Sequence, residues 1–345
     1  MRLAWNHKEN QVAIANADGI VAIVAAMISQ ENSPEVQLYG CRSLVGMARN
    51  HKDNQSAIAH AGGIVAIVSA MRSQAIILEV QKYGCGALML LAWNHEDNQS
   101  SVAQAGSIGA IVTAMMSQAT SIMVQQYGCE ALMLLNWNNG DIQLSVAQAG
   151  GIVAIVVAMI SLATHTEVQE YGCGALMNLA WNHVDNQSAV ANAGGIVAIV
   201  TAMMSQAANS EVQGYGCGAL MHLARDHEDN QSAIAQAGGI VAIVAAMMSQ
   251  ACYPEVQEYG CGALMHLAWI QGNNQSAIAQ AGGIVAIVAA MRSQATSLEV
   301  QQYGCGALMH LAWDHEYNQS ALAQAGGISD IVAAMMSQGR NREVQ

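Results

Sequence analysis

Polar and apolar positions along this chain fall into a block that returns every 44 residues. In one copy, residues 240–247 read Ile-Val-Ala-Ile-Val-Ala-Ala-Met, with large side chains at Ile240, Val241, Ile243, Val244 and Met247. At 3.6 residues per turn these share one face, and the other face is alanine rather than charge. A helix that is apolar all round is predicted to be buried on several sides, as in the middle layer of a stack. In front of the equivalent stretch, Asp97-Asn98 predicts an N-cap for a short helix over 99–105. Gly-Gly pairs such as Gly150-Gly151 predict a left-handed stop between the first and second helices. A polar link, 251–254 in one copy, leads into a third helix over about 255–269.

The last complete third helix shows how its faces divide. At 100° per residue, Val300, Gly304, Ala307, Leu308 and Leu311 fall together as the core face. Gln302, Gly306, Met309, His310 and Trp313 fall opposite, and Tyr303 and Cys305 lie on the two flanks. The flanks predict a seam in which the tyrosine of one repeat packs near the cysteine of the next. Gly304 is expected to let core helices approach closely, and Gly306 to leave the outer floor shallow.

The period is strict. Tyr-Gly-Cys begins at Tyr39, Tyr83, Tyr127, Tyr171, Tyr215, Tyr259 and Tyr303. Asn-Gln begins at Asn10, Asn54, Asn98, Asn186, Asn230, Asn274 and Asn318, and only the fourth copy departs, with Ile142-Gln143. Residues 231–247 and 275–291 are identical. A fixed period in the forties with helical content is the signature of stacked-helix solenoids.

The stretches Glu299-Val300-Gln301-Gln302-Tyr303-Gly304-Cys305-Gly306-Ala307-Leu308-Met309-His310-Leu311-Ala312 and Asn318-Gln319-Ser320-Ala321-Leu322-Ala323-Gln324-Ala325-Gly326-Gly327-Ile328 resemble the armadillo repeat family. The first looks like that family's third helix, the second like its first helix and the turn into its second. The short first helix with its glycine turn separates this pattern from two-helix repeats. The resemblance covers residues 1–345 and implies one all-α domain, a right-handed superhelical solenoid of three-helix repeats. It further implies a concave groove, lined by the third helices, that binds extended peptides or partner domains. There are eight first-and-second-helix units and seven complete third helices, so both ends read as incomplete or uncapped.

Charge narrows the partner. The 345 residues carry a formal net charge of −13, and charged residues make up only 10%. Phosphate neutralisation needs clustered Lys and Arg, so nucleic acid is disfavoured. A basic or neutral protein partner fits. The longest apolar runs, such as 239–248, are about half the roughly twenty residues a membrane-spanning helix needs. No apolar leader follows Met1. The expectation is a cytoplasmic protein with reduced cysteines and no membrane contact.

The groove face supplies the candidate binding residues: Gln126, Glu170, Asn178, His222, Glu258, His266, Gln302, Met309, His310 and Trp313. The family's Trp-x-x-x-Asn backbone clamp is mostly missing. Gly86, Gly174, Gly218, Gly262 and Gly306 stand at the tryptophan position, with Glu130 an exception, and only Asn178 matches the asparagine. A receptor for nuclear-localisation signals is therefore a poor fit. Tryptophan recurs one turn later, at Trp5, Trp93, Trp137, Trp181, Trp269 and Trp313. These rings could form an aromatic rail or cover the loop after each helix, and the covering role is preferred.

Catalytic and metal chemistry find little footing. Seven cysteines, Cys41 to Cys305, occupy one position per repeat. Packed helices lie about 8–10 Å apart, whereas a disulfide needs Cα atoms within about 7 Å, so the thiols read as small packing groups. His222, His266 and His310 are likewise one repeat apart, too far to share a metal ion. His7, His51, His95, His183, His227 and His315 sit in the link after the third helix and read as solvated or loop-bonding. No nucleophile elbow, phosphate loop or zinc-protease motif is present, and no cofactor or metal is expected. The reading is a non-enzymatic protein-interaction scaffold. The alternatives are a self-assembling solenoid, joined through uncapped ends, and a fragment or design of a longer armadillo protein.

Overall fold

A computed structural model describes Ala4, residues 7–269 and residues 272–337. The described residues form twenty-three α-helices and no strand. They come in threes, for example Glu228–Gln236, Gly239–Ser249 and Pro254–Ala268, of 9, 11 and 15 residues. The chain divides into two compact units, Met1–Leu179 and Ala180–Gln345. No single helix among the described residues is long and apolar enough to cross a membrane.

The first helix begins earlier than expected, and its cap is a histidine. His95, not Asp97 or Asn98, is the N-cap of Glu96–Gln104, its Nδ1 accepting the Asn98 backbone N–H at 3.3 Å. His51, His183, His227 and His315 do the same in their repeats. Asn98 is buried and turns back to the third helix, donating from Nδ2 to the Leu91 carbonyl at 3.0 Å. A cap that binds the preceding helix end was not visible as such, because an asparagine beside an aspartate reads as the cap itself.

Between first and second helices the chain bends by 69° to 73°. Gly238 makes that bend with φ of 82°, a left-handed backbone that a Cβ would penalise. In the first repeat Asp18 takes the same role at φ 56°. The second helix buries Ile240, Ala242, Ile243, Val244, Ala246 and Met247. Val241 instead faces solvent at 60% exposure, so the helix is covered on all but one side.

The third helix is bound to the second by a buried glutamine that the apolar pattern did not reveal. Gln257 Nε2 donates to the Met247 carbonyl at 2.9 Å and to the Gln250 carbonyl at 3.1 Å. Those carbonyls end the second helix and lack partners within it. The same two bonds recur from Gln37, Gln81, Gln125, Gln169, Gln213 and Gln301. Close approach follows from Gly260: a Cβ there would lie 2.5 Å from Met247 Cγ.

Candidate protein-binding face

Successive third helices pack side by side within each unit: Pro34–Ala48, Leu78–Ala92 and Ile122–Leu135 in the first, Ser210–Ala224, Pro254–Ala268 and Leu298–Ala312 in the second. In the last of these, Val300, Gly304, Ala307, Leu308 and Leu311 are buried and Met309 is 53% exposed, which is the division the pattern predicts. Gln301 joins the buried set because of its carbonyl bonds.

The seam differs in its partners. Tyr127 lies over Gly86 of the preceding repeat, its Cδ2 3.2 Å from where a Cβ would stand. A Cβ at Gly306 would meet Met265 Sδ at 2.6 Å. This glycine is therefore the seat of a neighbouring methionine or tyrosine, not a shallow floor, and at Tyr127 the seam partner includes Gly86. The cysteines lie deeper: Cys41, Cys85, Cys129, Cys173, Cys217 and Cys261 are all buried, and none of the eight forms a disulfide. Burial pushes the Cys85, Cys129 and Cys217 thiols up to about 12, which keeps them protonated. Among the described residues no cluster of His, Cys, Asp or Glu could hold a metal ion.

In the second unit the expected residues form a ladder. His222, His266 and His310 stand in one row, half-buried. Trp269 meets His310 of the next repeat edge-on, with centroids 4.6 Å apart and planes at 70°. Trp181 meets His222 at 6.4 Å. Burial, then nearby Arg225, holds His222 and His266 down at about 4, and burial lowers His310. These rings are thus neutral at pH 7, each with one donor and one acceptor nitrogen. A cavity of about 630 Å³ opens here between Trp269, Gln275, Met309, His310, Trp313 and Asp314. Gln275 Nε2 steadies its wall by donating to the His310 carbonyl at 2.9 Å.

Trp93, Trp137, Trp269 and Trp313 are exposed, Trp313 at 67%, and Trp181 is half-buried; Trp5 lies outside the described residues. Gln302 and Glu258 are half-buried on the same face, and burial followed by Glu299 and Glu255 raises the Glu258 carboxyl.

In the first unit Gln126 borders a second cavity, of about 520 Å³. Glu170 is half-buried and raises its neighbour Glu130, whose carboxyl is pushed up to about 7, chiefly by burial. Asn178 does not stand open to a ligand. It is 3% exposed, and its Nδ2 donates to the Met133 carbonyl of the preceding repeat at 3.0 Å. The one side chain that matched the backbone clamp is a repeat-to-repeat tie. Arg49, which borders the cavity, stands one period before Trp93.

Comparison with solved structures places this geometry. An engineered protein superposes on the whole chain with TM-score 0.74 at 24% identity, over 90% of its own length. A designed armadillo repeat protein aligns with 70% of this chain and 98% of its own, at TM-score 0.60 and 20% identity. The chain has the armadillo-type repeat fold. Another designed armadillo repeat protein, solved in complex with the peptide (KR)4, matches 72% of this chain and 99% of its own at TM-score 0.59 and 18% identity. No protein-family model and no curated protein matches the sequence.

Proposed function

We propose that this armadillo-type chain is a non-enzymatic scaffold whose third-helix face binds a partner protein or an extended peptide. The observation that carries the reading is the ladder of exposed Trp269, Met309 and Trp313 and half-buried His310 around a cavity of about 630 Å³. Large, partly open aromatic and methionine side chains beside neutral hydrogen-bonding rings are the composition of binding hot spots. Packed helices repeat every 8–10 Å, and an extended peptide advances about 3.3 Å per residue. Two or three peptide residues therefore span one repeat, so equivalent side chains meet equivalent positions. A designed relative in fold carries a bound peptide, which agrees with this use of the face.

The test is selection from a random peptide library on the immobilised chain, followed by affinities of Trp269→Ala and Trp313→Ala. Each is expected to weaken a selected peptide about tenfold or more, the scale of an aromatic hot spot. Unchanged affinity in both would move binding off this face.

A second reading, self-association, rests on Ile328, Val332 and Met335, exposed at 58%, 48% and 37%. Their counterparts Ile284, Val288 and Met291 are 2–3% exposed within the stack. A second copy seated there would cover them as internal repeats cover each other. Residues 1–3, 5, 6 and 338–345, which the expectation of end-to-end pairing includes, lie outside the described residues.

A further inference from the structure

We propose that the cavity of about 630 Å³ in the second unit is a cage for a quaternary or methylated ammonium group, held between Trp269 and Trp313 with Asp314 at its rim. This rests on the reading that the face binds a partner, and it names the group that the partner brings.

Such a cage needs open aromatic rings, an unmatched negative charge and no resident cation. Trp269 and Trp313 supply the rings, one period apart and 51% and 67% exposed. Tryptophan is the strongest of the aromatic partners for a cation. His310 meets Trp269 edge-on at 4.6 Å and steadies that ring, and Gln275 in turn holds the His310 carbonyl at 2.9 Å. Met309, 53% exposed, adds a polarisable thioether to the wall. Both tryptophans stand seven residues beyond Gly262 and Gly306, which occupy the tryptophan position of the backbone clamp, so the cage lies at a different place on the helix.

The charge comes from a comparison of repeats. Among the described residues around the cavity, Asp314 alone is charged. It is the left-handed residue after the third helix, at φ 50°, a position that holds Asn50, Asn94, Asn138 and Asn182 in four other repeats. Asp226 is the other acid in this register, and it has its own cation, Arg225, whose Nε lies 3.8 Å from its carboxylate. In the last repeat Trp313 stands where Arg225 does. Asp314 therefore has no ion pair among the described residues. Arg225 acts on His222 and His266, whereas burial alone lowers His310, so the imidazole beside the cavity is neutral and does not repel a cation. An apolar occupant would strip water from the Asp314 carboxylate with no charge in return. A bare ammonium asks for acceptors for three donors, and walls of indole, thioether and Ala268 offer few. Methylation removes those donors and keeps the charge.

The experiment uses the full chain and three fluorescein-labelled peptides of one sequence that differ in a single central side chain. One carries trimethyllysine, one lysine, and one the uncharged carbon isostere of trimethyllysine. Anisotropy is expected to show the trimethyllysine peptide binding about fivefold or more tighter than the isostere, the scale of a cation held on tryptophan. Asp314→Asn installs the residue that other repeats carry at this left-handed position, and Trp313→Leu replaces an exposed ring, so both keep the fold. Each should cut that ratio to about twofold or less. Asp226→Asn, which removes the same charge from the same register, should leave the ratio unchanged. Choline as a competitor distinguishes the source of the ammonium. Displacement near the Kd of the peptide assigns the cage to a free small cation, and weaker displacement assigns it to a modified side chain. A ratio near one in the parent chain overturns the cage, as does a ratio that survives both Asp314→Asn and Trp313→Leu, or tighter binding of unmodified lysine. If the three peptides bind alike and Trp269→Ala weakens them together, the cage falls and the peptide-binding reading stands. If neither the peptides nor choline bind, the cage also falls, and library selection decides the broader reading separately.

Discussion

Single residues at the third-helix face titrate in opposite senses. Glu130 is raised to about 7 by burial and by Glu170, against an ordinary 4.5. The folded state therefore binds its proton more tightly than the unfolded chain, so its contribution is complete below pH 4.5 and is lost as pH rises through about 7. Glu130→Gln is expected to raise stability at pH 8 by about 1–3 kcal/mol and to do nothing at pH 4. His222 and His266 behave the other way. Held near 4 against an ordinary 6.5, they favour the fold in their neutral form. Their contribution is complete above pH 6.5 and is lost as pH falls toward 4, by about 2–3 kcal/mol for each. The glutamate gain masks the histidine loss in the parent chain, so denaturant midpoints of His222→Gln and Glu130→Gln at pH 4.5, 6.5 and 8 are the measurement. Parallel pH curves for the parent and both variants would refute the assignments.

At the scale of helices, the glutamine ties hold second to third helices more specifically than apolar packing does. Gln257→Ala strips the partner from the Met247 carbonyl, while the Gln250 carbonyl keeps the Tyr253 backbone N–H at 3.0 Å. The expected loss is about 1–3 kcal/mol, the cost of unmet buried groups. Gln302→Ala, one residue-type match on the partly exposed face, should stay within about 0.5 kcal/mol. Equal effects in urea titrations would mean that the two glutamines play one role. The seam is softer. Tyr127 is only half-buried on Gly86, so Tyr127→Ala should cost about 1–3 kcal/mol, below the 3–5 of a fully buried aromatic.

For the molecule as a whole, the exposed Ile328, Val332 and Met335 predict concentration-dependent association, measured as mass by light scattering from micromolar to millimolar. A constant monomer mass, or Val332→Glu leaving an oligomer intact, would count against self-association through this surface. The buried, protonated cysteines predict that the denatured, unreduced protein titrates close to eight thiols. Both results bear on the binding face, since an oligomer would set how many ladder positions one partner can reach.

The period of 44 residues, the three helices and the core face of the third helix were all legible in the sequence, because each is a local or periodic property repeated seven times over. The glycine stops were legible for the same reason: a left-handed turn has few residues that suit it. Register alone also placed His222, His266, His310 and Trp313 on one face. What lay beyond the sequence were choices between two partners at similar distance. Asn178 reaches the Met133 carbonyl rather than a ligand, and Asn98 the Leu91 carbonyl rather than its own helix start. Tyr127 lies over Gly86, and Gly306 seats Met265. Each was decided by how neighbouring repeats stack, a distance between backbones that no single repeat encodes. The gathering of Arg49, Lys52 and His51 at one cavity has the same origin, since its walls come from three repeats and close only when they pack.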